Sequence, residues 1–420
     1  MEMKKYKLGE IAEIVNGATP STLEADNYDG DIVWITPKDL SNSKEKFIER
    51  GERNITQKGF DSCSTHMIPE NNILMSSRAP IGLLAINKVP CCTNQGFKNL
   101  IVNQKYADVE YLFYYLKFHI NEIEQLGSGT TFKEVSKNTL QLLEVSLPPL
   151  ATQQKIATVL SSLDKKISLN RKINDNLEAM AKQLYDYYFV QFDFPNEQGK
   201  PYKTSGGAMV WNEKLKREIP AGWEVKSVNE ISTNARGVAY TKDDLVEKDN
   251  GILVLRGNNI QDNKLIYDSN VAYVPKSFVN AEQCIKKHDI IVTMSSGSKE
   301  HIGKSAMFYK DSDNETFGAF LSKFTPNVNC DFVLHQIFVS EYFKTKIKLI
   351  ANGTGINNLT NQTFDEIFIA MPDISSLNKF NILMKPIYEN IGNLTQQSQA
   401  LTAQRDALLP LLMNGQVSVE

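Results

Sequence analysis

The sequence repeats itself, and this repetition restricts the folds that are open to it. A stretch of about 150 residues followed by a long helical pattern runs to about Phe189 and recurs from Ile219. The second copy lies 219 to 224 positions after the first, with small insertions and deletions between. Short matches occur in the same order in both copies: Leu8–Ile11 with Val228–Ile231, Trp34–Ile35 with Val254–Leu255, Met75–Ser77 with Met294–Ser296, Ile81–Gly82 with Ile302–Gly303, Gly129–Thr130 with Gly353–Thr354, and Leu147–Pro148 with Met371–Pro372. A repeat this long predicts two domains with one fold rather than a solenoid.

Composition places the chain among globular proteins of a reducing compartment. It has 420 residues, of which 41% are hydrophobic and 23% charged. The most apolar region, residues 72–89, contains Arg78, and no run reaches the roughly 20 residues of a membrane helix. The N-terminus lacks the apolar core of a signal peptide. Five cysteines without regular spacing favour the cytoplasm over a disulfide framework.

Charge alone does not indicate a nucleic-acid partner. The net charge is −3, and residues 1–149 and 219–373 each hold 16 basic and 19 acidic side chains, so each region carries −3 (16 − 19). Any affinity for DNA must therefore come from a local basic patch or from a partner protein.

Each repeated region has the pattern of a mixed α and β domain. Short apolar runs such as Ile32–Ile35 and Ile290–Val292 are bounded by turn residues and predict buried strands. Helical patterns follow at Val109–Gln125 and Phe332–Ile350, each before a glycine-containing loop. We expect five segments: a first domain at 1–149, a long helix at 150–190, a linker at 191–218, a second domain at 219–373, and a second long helix at 374–420.

The two long helices carry apolar residues at heptad spacing. The first seam is Ile156, Leu160, Leu163, Ile167, Asn170, Asn174, Leu177, Ala181, Leu184 and Tyr188; the second is Phe380, Met384, Ile387, Ile391, Leu394, Ser398, Leu401, Arg405, Leu408 and Leu412. Such seams predict a coiled coil in which Asn170 and Asn174 fix the register. Pro386 and Gly392 could kink or delay the second helix. The predicted fold is α+β, with two pseudo-repeated mixed α/β domains separated by two long antiparallel coiled-coil helices.

The common catalytic and metal-binding patterns do not occur in the sequence. The glycines of Gly297–Ser305 have five residues between them, whereas the phosphate-binding loop needs four. No two of the five histidines have metal-ligand spacing, and Cys91–Cys92 has no second pair. Nucleophile-elbow and dinucleotide fingerprints are absent from the sequence. These observations predict that the chain is not itself an enzyme and binds no metal.

Polar segments that occur at equivalent positions in both copies are the candidate binding residues. Ser, Thr and Lys suit phosphate contacts, and Arg, Asn and Lys suit base edges in the major groove. A two-fold pseudo-repeat also suits duplex DNA, a nearly two-fold symmetric ligand. The candidates are Thr36, Lys38, Ser76, Ser77, Arg78, Ser128, Thr130, Thr131 and Lys133 in the first copy, and Arg256, Asn258, Asn259, Ser295, Ser296, Lys299, Asn352, Thr354 and Asn357 in the second.

Three segments give the chain a family resemblance. Leu147–Leu150, Gln153–Ala157 and Leu160–Arg171 resemble the central conserved region of DNA-specificity subunits of type I restriction–modification enzymes, and Ile219–Val225 is typical of their recognition domains. The resemblance extends over the whole chain, although Leu394–Gln396 matches less well than its counterpart Asn170–Lys172.

The resemblance implies a division of labour among subunits. Each target-recognition domain would read one half of a bipartite DNA site, and the helices would set the gap between the halves. Modification (methyltransferase) subunits, normally two, would dock on the chain and supply S-adenosylmethionine chemistry. A restriction and translocase subunit would supply ATP- and Mg-dependent cleavage, so no cofactor is expected in this chain. Because the two copies differ outside their matched segments, we expect two unrelated half-sites.

Two other functions fit parts of the sequence. A solitary nuclease or methyltransferase would need catalytic carboxylates or a cofactor loop, and neither is found. A protein-binding scaffold, with two interaction domains on a coiled-coil spacer, fits the repeat and the helices equally well. Sequence-specific DNA binding by the purified complex separates the scaffold from the recognition subunit.

Overall fold

The computed structural model describes residues 3–43, 45–128, 133–267, 271–353 and 358–419, without the side chains of 351–353. The chain forms two compact units. Unit 1 comprises residues 1–171 and 396–420, and unit 2 comprises residues 172–395. Each unit therefore contains one repeated domain together with part of each long helix.

Unit 1 contains a five-stranded and a three-stranded sheet. Its strands are β1 Lys4–Lys7, β2 Ala12–Asn16, β3 Tyr28–Ile35, β4 Phe47–Ile48, β5 Asn54–Ile55, β6 Ile73–Met75, β7 Leu84–Asn87, β8 Cys92–Thr93, β9 Lys98–Val102 and β10 Glu144–Leu147. The larger sheet has the order β2-β9-β6-β7-β4 and the smaller one the order β5-β3-β8. Antiparallel β1 and β10 join the two ends of the domain.

The helices of unit 1 pack on both of its sheets. They are α1 Leu8–Ile11, α2 Pro37–Asn42, α3 Gln57–Asp61, α4 Val109–Phe118, α5 Ile120–Gln125 and α6 Lys137–Gln141, followed by the long helix α7 Leu150–Tyr185. Helix α4 is buried almost throughout, and its core contacts include Ile156 and Leu160 of α7. Asp108 accepts a hydrogen bond from the backbone of Tyr111 and so caps this helix.

Unit 2 repeats this arrangement. Its strands are β11 Met209–Asn212, β12 Arg217–Pro220, β13 Glu224–Ser227, β14 Ser232–Arg236, β15 Ile252–Leu255, β16 Ile260–Gln261, β17 Lys264–Leu265, β18 Ala272–Val274, β19 Ile290–Thr293, β20 Ser305–Met307, β21 Glu315–Phe317, β22 Leu321–Pro326 and β23 Phe368–Met371. Its helices are α8 Val228–Ile231, α9 Asp331–Val339, α10 Glu341–Gly353 and the long helix α11 Ile374–Met413.

The two units share most of their sheet topology, although the edge strand β4 of unit 1 has no counterpart among the described strands of the corresponding sheet in unit 2. The order β14-β22-β19-β20 in unit 2 corresponds to β2-β9-β6-β7 in unit 1. Strand β3 pairs antiparallel with β5 and parallel with β8, and β15 pairs in the same senses with β18 and β21. Strands β13 and β23 pair as β1 and β10 do. The duplication read from the sequence is therefore a duplication of fold, and the predicted fold class is confirmed.

One glycine in each unit allows a helix to approach the sheet closely. Gly82 and Gly303 have positive φ angles of 86° and 76°. A Cβ atom at Gly82 would lie 2.2 Å from Ile120 of α5, and one at Gly303 would lie 3.1 Å from Ile347 of α10. Both the backbone conformation and the space favour glycine, which explains why this position is matched in the two copies.

The helical pattern before each glycine-containing loop forms two helices rather than one. In unit 1 the chain breaks at His119, between α4 and α5. In unit 2 it breaks at Ser340, whose hydroxyl accepts a hydrogen bond from the backbone of Phe343 (3.1 Å). A local cap of this kind competes with continued helix, and apolar periodicity alone does not detect it.

The long helices run antiparallel in both units. In unit 1, Asn170 donates to Gln397 (2.8 Å), and Asp164 pairs with Arg405 (2.8 Å). In unit 2, Asn174 donates to Thr395 (3.2 Å), and the ring of Tyr188 lies 5.2 Å from that of Phe380. As the residue numbers increase along α7, the numbers of the residues they contact on α11 decrease, so the two helices run in opposite directions. The predicted seam positions are buried or half-buried.

Helix α11 continues through Pro386 and Gly392. Pro386 removes one donor, but the carbonyl that loses it belongs to Ile382, which is 71% exposed and can bond to water. Gly392 is buried beside Tyr309, whose Cβ would lie 2.9 Å from a Cβ at this position. The glycine therefore brings the helix close to its neighbour without kinking it.

The segment 191–218 is packed rather than loose. Phe192 and Phe194 are buried, and the ring of Phe194 stacks on Trp223 at 4.9 Å. The hairpin of β11 and β12 follows. Its polar, glycine-containing composition concealed two aromatic anchors that belong to the core of unit 2.

Candidate nucleic-acid interface

The first pair of equivalent loops follows β3 in unit 1 and β15 in unit 2. The backbone N–H of Thr36 donates to Asp39 (2.7 Å), and that of Arg256 donates to Asn259 (2.9 Å). In both loops the side chain three residues ahead accepts this backbone hydrogen bond and so closes a turn. Asn259 is fully buried and also donates to Ile266 (2.9 Å). Among the candidates here, Lys38 and Asn258 are the exposed ones.

Lys38 is held on the surface by an acidic neighbour. Its ammonium lies 2.6 Å from Glu52, and the two side chains are 67% and 64% exposed. The hydrogen bond and charge of Glu52 raise the pKa of Lys38. An incoming phosphate would have to compete with this carboxylate.

The second pair of loops follows β6 and β19. Ser76 and Ser77 are fully buried, and their hydroxyls donate to the carbonyls of Pro80 (2.6 Å) and Gly96 (3.2 Å). These two serines shape the loop and have no surface to offer DNA. Arg78, the next residue, is exposed.

Arg78 is oriented by a small ion-pair cluster in unit 1. Its Nε donates to Glu134 (3.0 Å), which also pairs with the nearly buried Lys98 (2.9 Å). Burial disfavours the charged carboxylate, but Lys98 and then Arg78 outweigh it and lower the pKa of Glu134. Backbone bridges from Glu134 to Arg78 and Ser128 hold the exposed Ser128 in the same cluster, and Lys133, also exposed, precedes Glu134 in the chain.

Unit 2 gathers its counterparts in a cleft of about 1030 Å³. Asn258, Ser295, Ser296 and Lys299 line it, together with residues of α10. The hydroxyl of Ser295 donates to Asn358, and that of Ser296 accepts from the backbone of Ser298 (3.3 Å). Four lysines and two acidic residues line the cleft, so its walls carry two positive charges in excess (4 − 2).

The structure adds residues that the sequence did not single out. Lys98 and Glu134 position Arg78, and Lys304, Lys344 and Lys348 line the cleft in unit 2. Lys344 and Lys348 lie four residues apart and so share one face of α10, and this spacing was a signal for a basic face. Lys98 gave no comparable signal, because a lysine at the start of a strand is usually solvated.

Five of the candidates lie where the structure describes no side chain. Thr130, Thr131, Thr354 and Asn357 lie outside the described residues, and Asn352 lies in α10 without a described side chain. The DNA-contact assignments as a group stay predictions.

Nothing in the described part of the chain resembles a metal centre or a membrane span. Those residues contain no group of three or more His, Cys, Asp or Glu side chains that could hold a metal ion. None of the described helices is long and apolar enough to cross a bilayer.

A family model and two curated proteins match the chain. The model of the type I restriction modification DNA specificity domain matches residues 1–179 and again residues 220–403. The specificity subunit of the type I restriction enzyme MjaIX of Methanocaldococcus jannaschii is 33% identical over 439 residues, covering 100% of this chain and 94% of that protein. The specificity subunit of EcoKI of Escherichia coli K12 is 31% identical over 210 residues, covering 48% of this chain and 44% of that protein.

A solved structure shares the fold. The crystal structure of the S subunit of the type I restriction–modification system of M. genitalium aligns over 98% of this chain and 96% of that chain. The TM-score is 0.59 at 16% sequence identity.

Proposed function

The chain belongs to the DNA-specificity subunits of type I restriction–modification systems, and we propose that each of its units reads one half of a bipartite DNA site. The observation that carries this proposal is the repeat of sheet topology, with the same two strand-end loops in each unit. Two copies of one scaffold with different exposed side chains suit two half-sites of different sequence.

In this proposal the exposed loop residues divide into two classes. Arg78 and Asn258 are base readers, since Arg binds guanine O6 and N7 and Asn binds adenine N6 and N7. Lys38, Lys133, Lys299, Lys304 and Lys348 contact phosphates and position the units. Ser76, Ser77 and Asn259 support the loops from inside.

The long helices set the distance between half-sites and carry the docking surfaces for modification subunits, normally two. Helix α7 has 36 residues and α11 has 40, which correspond to ~54 and ~60 Å. The chemistry resides on partners: S-adenosylmethionine on the modification subunits, and ATP with Mg on a restriction and translocase subunit. This chain itself is then non-catalytic.

Sequencing of adenine methylation tests the function. Cells that carry the partner genes are compared with and without this gene. We expect a methylated motif with two unlike halves that disappears on deletion and returns on complementation. An unchanged methylome with all partners expressed would favour a protein-binding scaffold instead.

Insertion of one heptad in each long helix tests the spacing role. The Asn170–Gln397 hydrogen bond identifies neighbouring positions, so the insertions follow Asn170 and Gln396. Seven residues add ~10 Å, which corresponds to ~3 base pairs of B-DNA at ~34 Å per turn. The gap in the methylated motif should widen by that number while both halves stay the same. An unchanged gap with normal methylation would contradict the spacing role.

A further inference from the structure

Phe320 is a large apolar side chain in an unexpected place. It lies in the turn between β21 and β22 and is 68% exposed. Its side chain lines the lysine-rich cleft of unit 2 with Asn258 and Lys299. Its carbonyl accepts a hydrogen bond from the backbone of Met294 (2.9 Å), which ties the turn to the Ser295–Ser296 loop.

The equivalent position in unit 1 is Gly96. Ala12 follows the matched residues 8–11 and pairs with Val102, and Ser232 follows the matched residues 228–231 and pairs with Pro326, so Gly96 and Phe320 each lie six residues before the paired one. In this register Ser77 corresponds to Met294, so the sequence match of Met75 with Met294 is displaced by two residues in the structure. The carbonyl of Gly96 likewise accepts from the backbone of Ser77 (2.7 Å). The turn and its backbone hydrogen bond are the same in both units, but the side chain at this position differs.

A second difference between the units lies on the adjacent loop, beside this position. A Cβ at Gly96 would lie 3.0 Å from the ring of Pro37, so a proline from the adjacent loop fills this place in unit 1. The residue equivalent to Pro37 is Gly257, which also lines the cleft. Unit 2 thus has a small residue on one loop and a phenylalanine on the other, and the phenylalanine projects into solvent.

We propose that Phe320 is a specificity-determining residue that packs on the methyl group of one thymine in the half-site read by unit 2. This inference rests on the proposed function. The lysines around it suit phosphates, but a phenyl ring gains nothing there. The apolar group that B-DNA displays in its major groove without distortion is the thymine methyl. Stacking on a base face would require an unstacked step, which costs a few kcal/mol.

Duplexes that contain deoxyuridine test this contact, because uracil lacks only the methyl group. The complex of this chain with its modification subunits is titrated with the methylated motif, each thymine being replaced singly. We expect one replacement in the unit 2 half-site to weaken binding ~4-fold, the factor for burial of one methyl-sized group. Phe320→Ala should weaken binding to the thymine duplex at least as much and be insensitive to that replacement. Such coupling identifies a direct contact.

Two further variants secure the result. Phe320→Leu keeps an apolar group and should keep most of the sensitivity, which separates lost contact from misfolding. Phe278→Ala removes another exposed phenylalanine of unit 2, 39% exposed and outside the cleft lining, and should bind as the wild type does. Unchanged binding by Phe320→Ala, uridine sensitivity that persists in this variant, or a unit 2 half-site without thymine would overturn the inference alone. Absence of any sequence-specific binding would overturn the proposed function as well.

Discussion

In unit 1, Tyr114 of α4 donates a hydrogen bond to Asp164 of α7, and in unit 2, Gln336 of α9 donates to the hydroxyl of Tyr388 of α11. These positions are equivalent. Tyr114 and Gln336 each lie six residues after the N-cap of their helix, and Asp164 and Tyr388 each lie eight residues after the first seam residue, Ile156 or Phe380. The same place in the fold joins the domain to a long helix in both units.

The surroundings of this join differ in charge. In unit 1, Arg405 pairs with Asp164, and Lys46 bonds to Glu110 (2.7 Å) and Ser161 (2.8 Å) nearby. In unit 2, the buried His335 bonds to Tyr388 (2.8 Å).

Stacking also replaces charge in unit 2, where Phe332 lies against Tyr388 at 4.8 Å. Packing therefore fixes where the domain meets the long helix, and either an ionic or a neutral network satisfies the polar groups there. Two units with the same fold can therefore diverge in sequence while each domain keeps its position on the long helices.

The largest expected effect is that of Arg405→Ala. It removes the ion-pair partner of Asp164, whose side chain is 13% exposed. Removal of one partner from a buried pair destabilises by about 3–5 kcal/mol. Hydrogen exchange should rise in α4 and stay unchanged in α9. Lys182→Ala, which removes an exposed pair with Asp186, should change stability by less than about 1 kcal/mol. Equal exchange in α4 of the variant and wild type would refute the ionic join.

As the pH falls, we expect unit 2, whose contact between α9 and α11 is uncharged, to lose stability before unit 1. Burial lowers the pKa of His335 to about 4 from 6.5, with a smaller effect of His288. The unfolded chain then binds a proton that the folded chain excludes. The stability this contributes is complete above pH 6.5 and is lost as the pH falls toward 4, by up to about 3 kcal/mol. Unfolding of unit 2 followed from pH 7 to 4 should show this loss.

Two variants isolate the histidine. His335→Gln should remove most of the loss between pH 6.5 and 4, whereas His301→Gln, an exposed histidine, should not. In unit 1, burial of Glu110 is outweighed by Lys46, so the pKa of this carboxyl is lowered and its contribution is lost only below pH 4.5. A pH profile of unit 2 that is the same in wild type and His335→Gln would contradict the assignment.

Arg78→Ala should weaken recognition of one half-site. Loss of a bidentate base contact costs about 1–3 kcal/mol in binding and relaxes specificity at one position. Arg53→Ala is the matched control, because Arg53 is 49% exposed beside Asp29 as Arg78 is 47% exposed beside Glu134. The affinity of the assembled complex for the motif and for its single-base variants is measured with each of the two arginine variants. A loss below about 0.5 kcal/mol for Arg78→Ala would count against a base contact.

The smallest effect is expected at Gly392, where α11 packs against Tyr309. Gly392→Ala places a methyl group 2.9 Å from Tyr309, and the strain of about 1–3 kcal/mol exceeds the helix-propensity gain of about 1 kcal/mol. The equivalent residue on α7 is Ser168, which is half-buried, and Ser168→Ala should be nearly neutral. Thermal unfolding of the two variants measures the difference. A stabilised Gly392→Ala would show that the helix can move away.

The repeat, the fold class and the helix seams were predictable because each rests on a pattern that extends over many residues. Apolar periodicity identified α7 and α11, and ordered matches identified the duplicated domains. The breaks at His119 and Ser340 were not predictable, because they depend on single residues that end or cap a helix. The packing of Phe192 and Phe194 was hidden within a polar segment.

The candidate site was only partly predictable from sequence. The loops that hold Arg78, Asn258 and Lys299 follow from equivalent positions in the two copies, but exposure does not. Ser76 and Ser77 are buried whereas the next residue, Arg78, is exposed, and only the fold shows this difference. Lys98, Lys304 and Phe320 come from strand starts and turns that bear no sequence signal of their own.

Exchange of one recognition domain tests the central claim most directly. Residues 219–373 are replaced by the aligned segment of the MjaIX specificity subunit, and adenine methylation is mapped by single-molecule sequencing in cells that carry the partner genes. We expect a methylated motif in which one half is unchanged and the other half is new. A motif altered in both halves, or in neither, would contradict the assignment of one half-site to each unit.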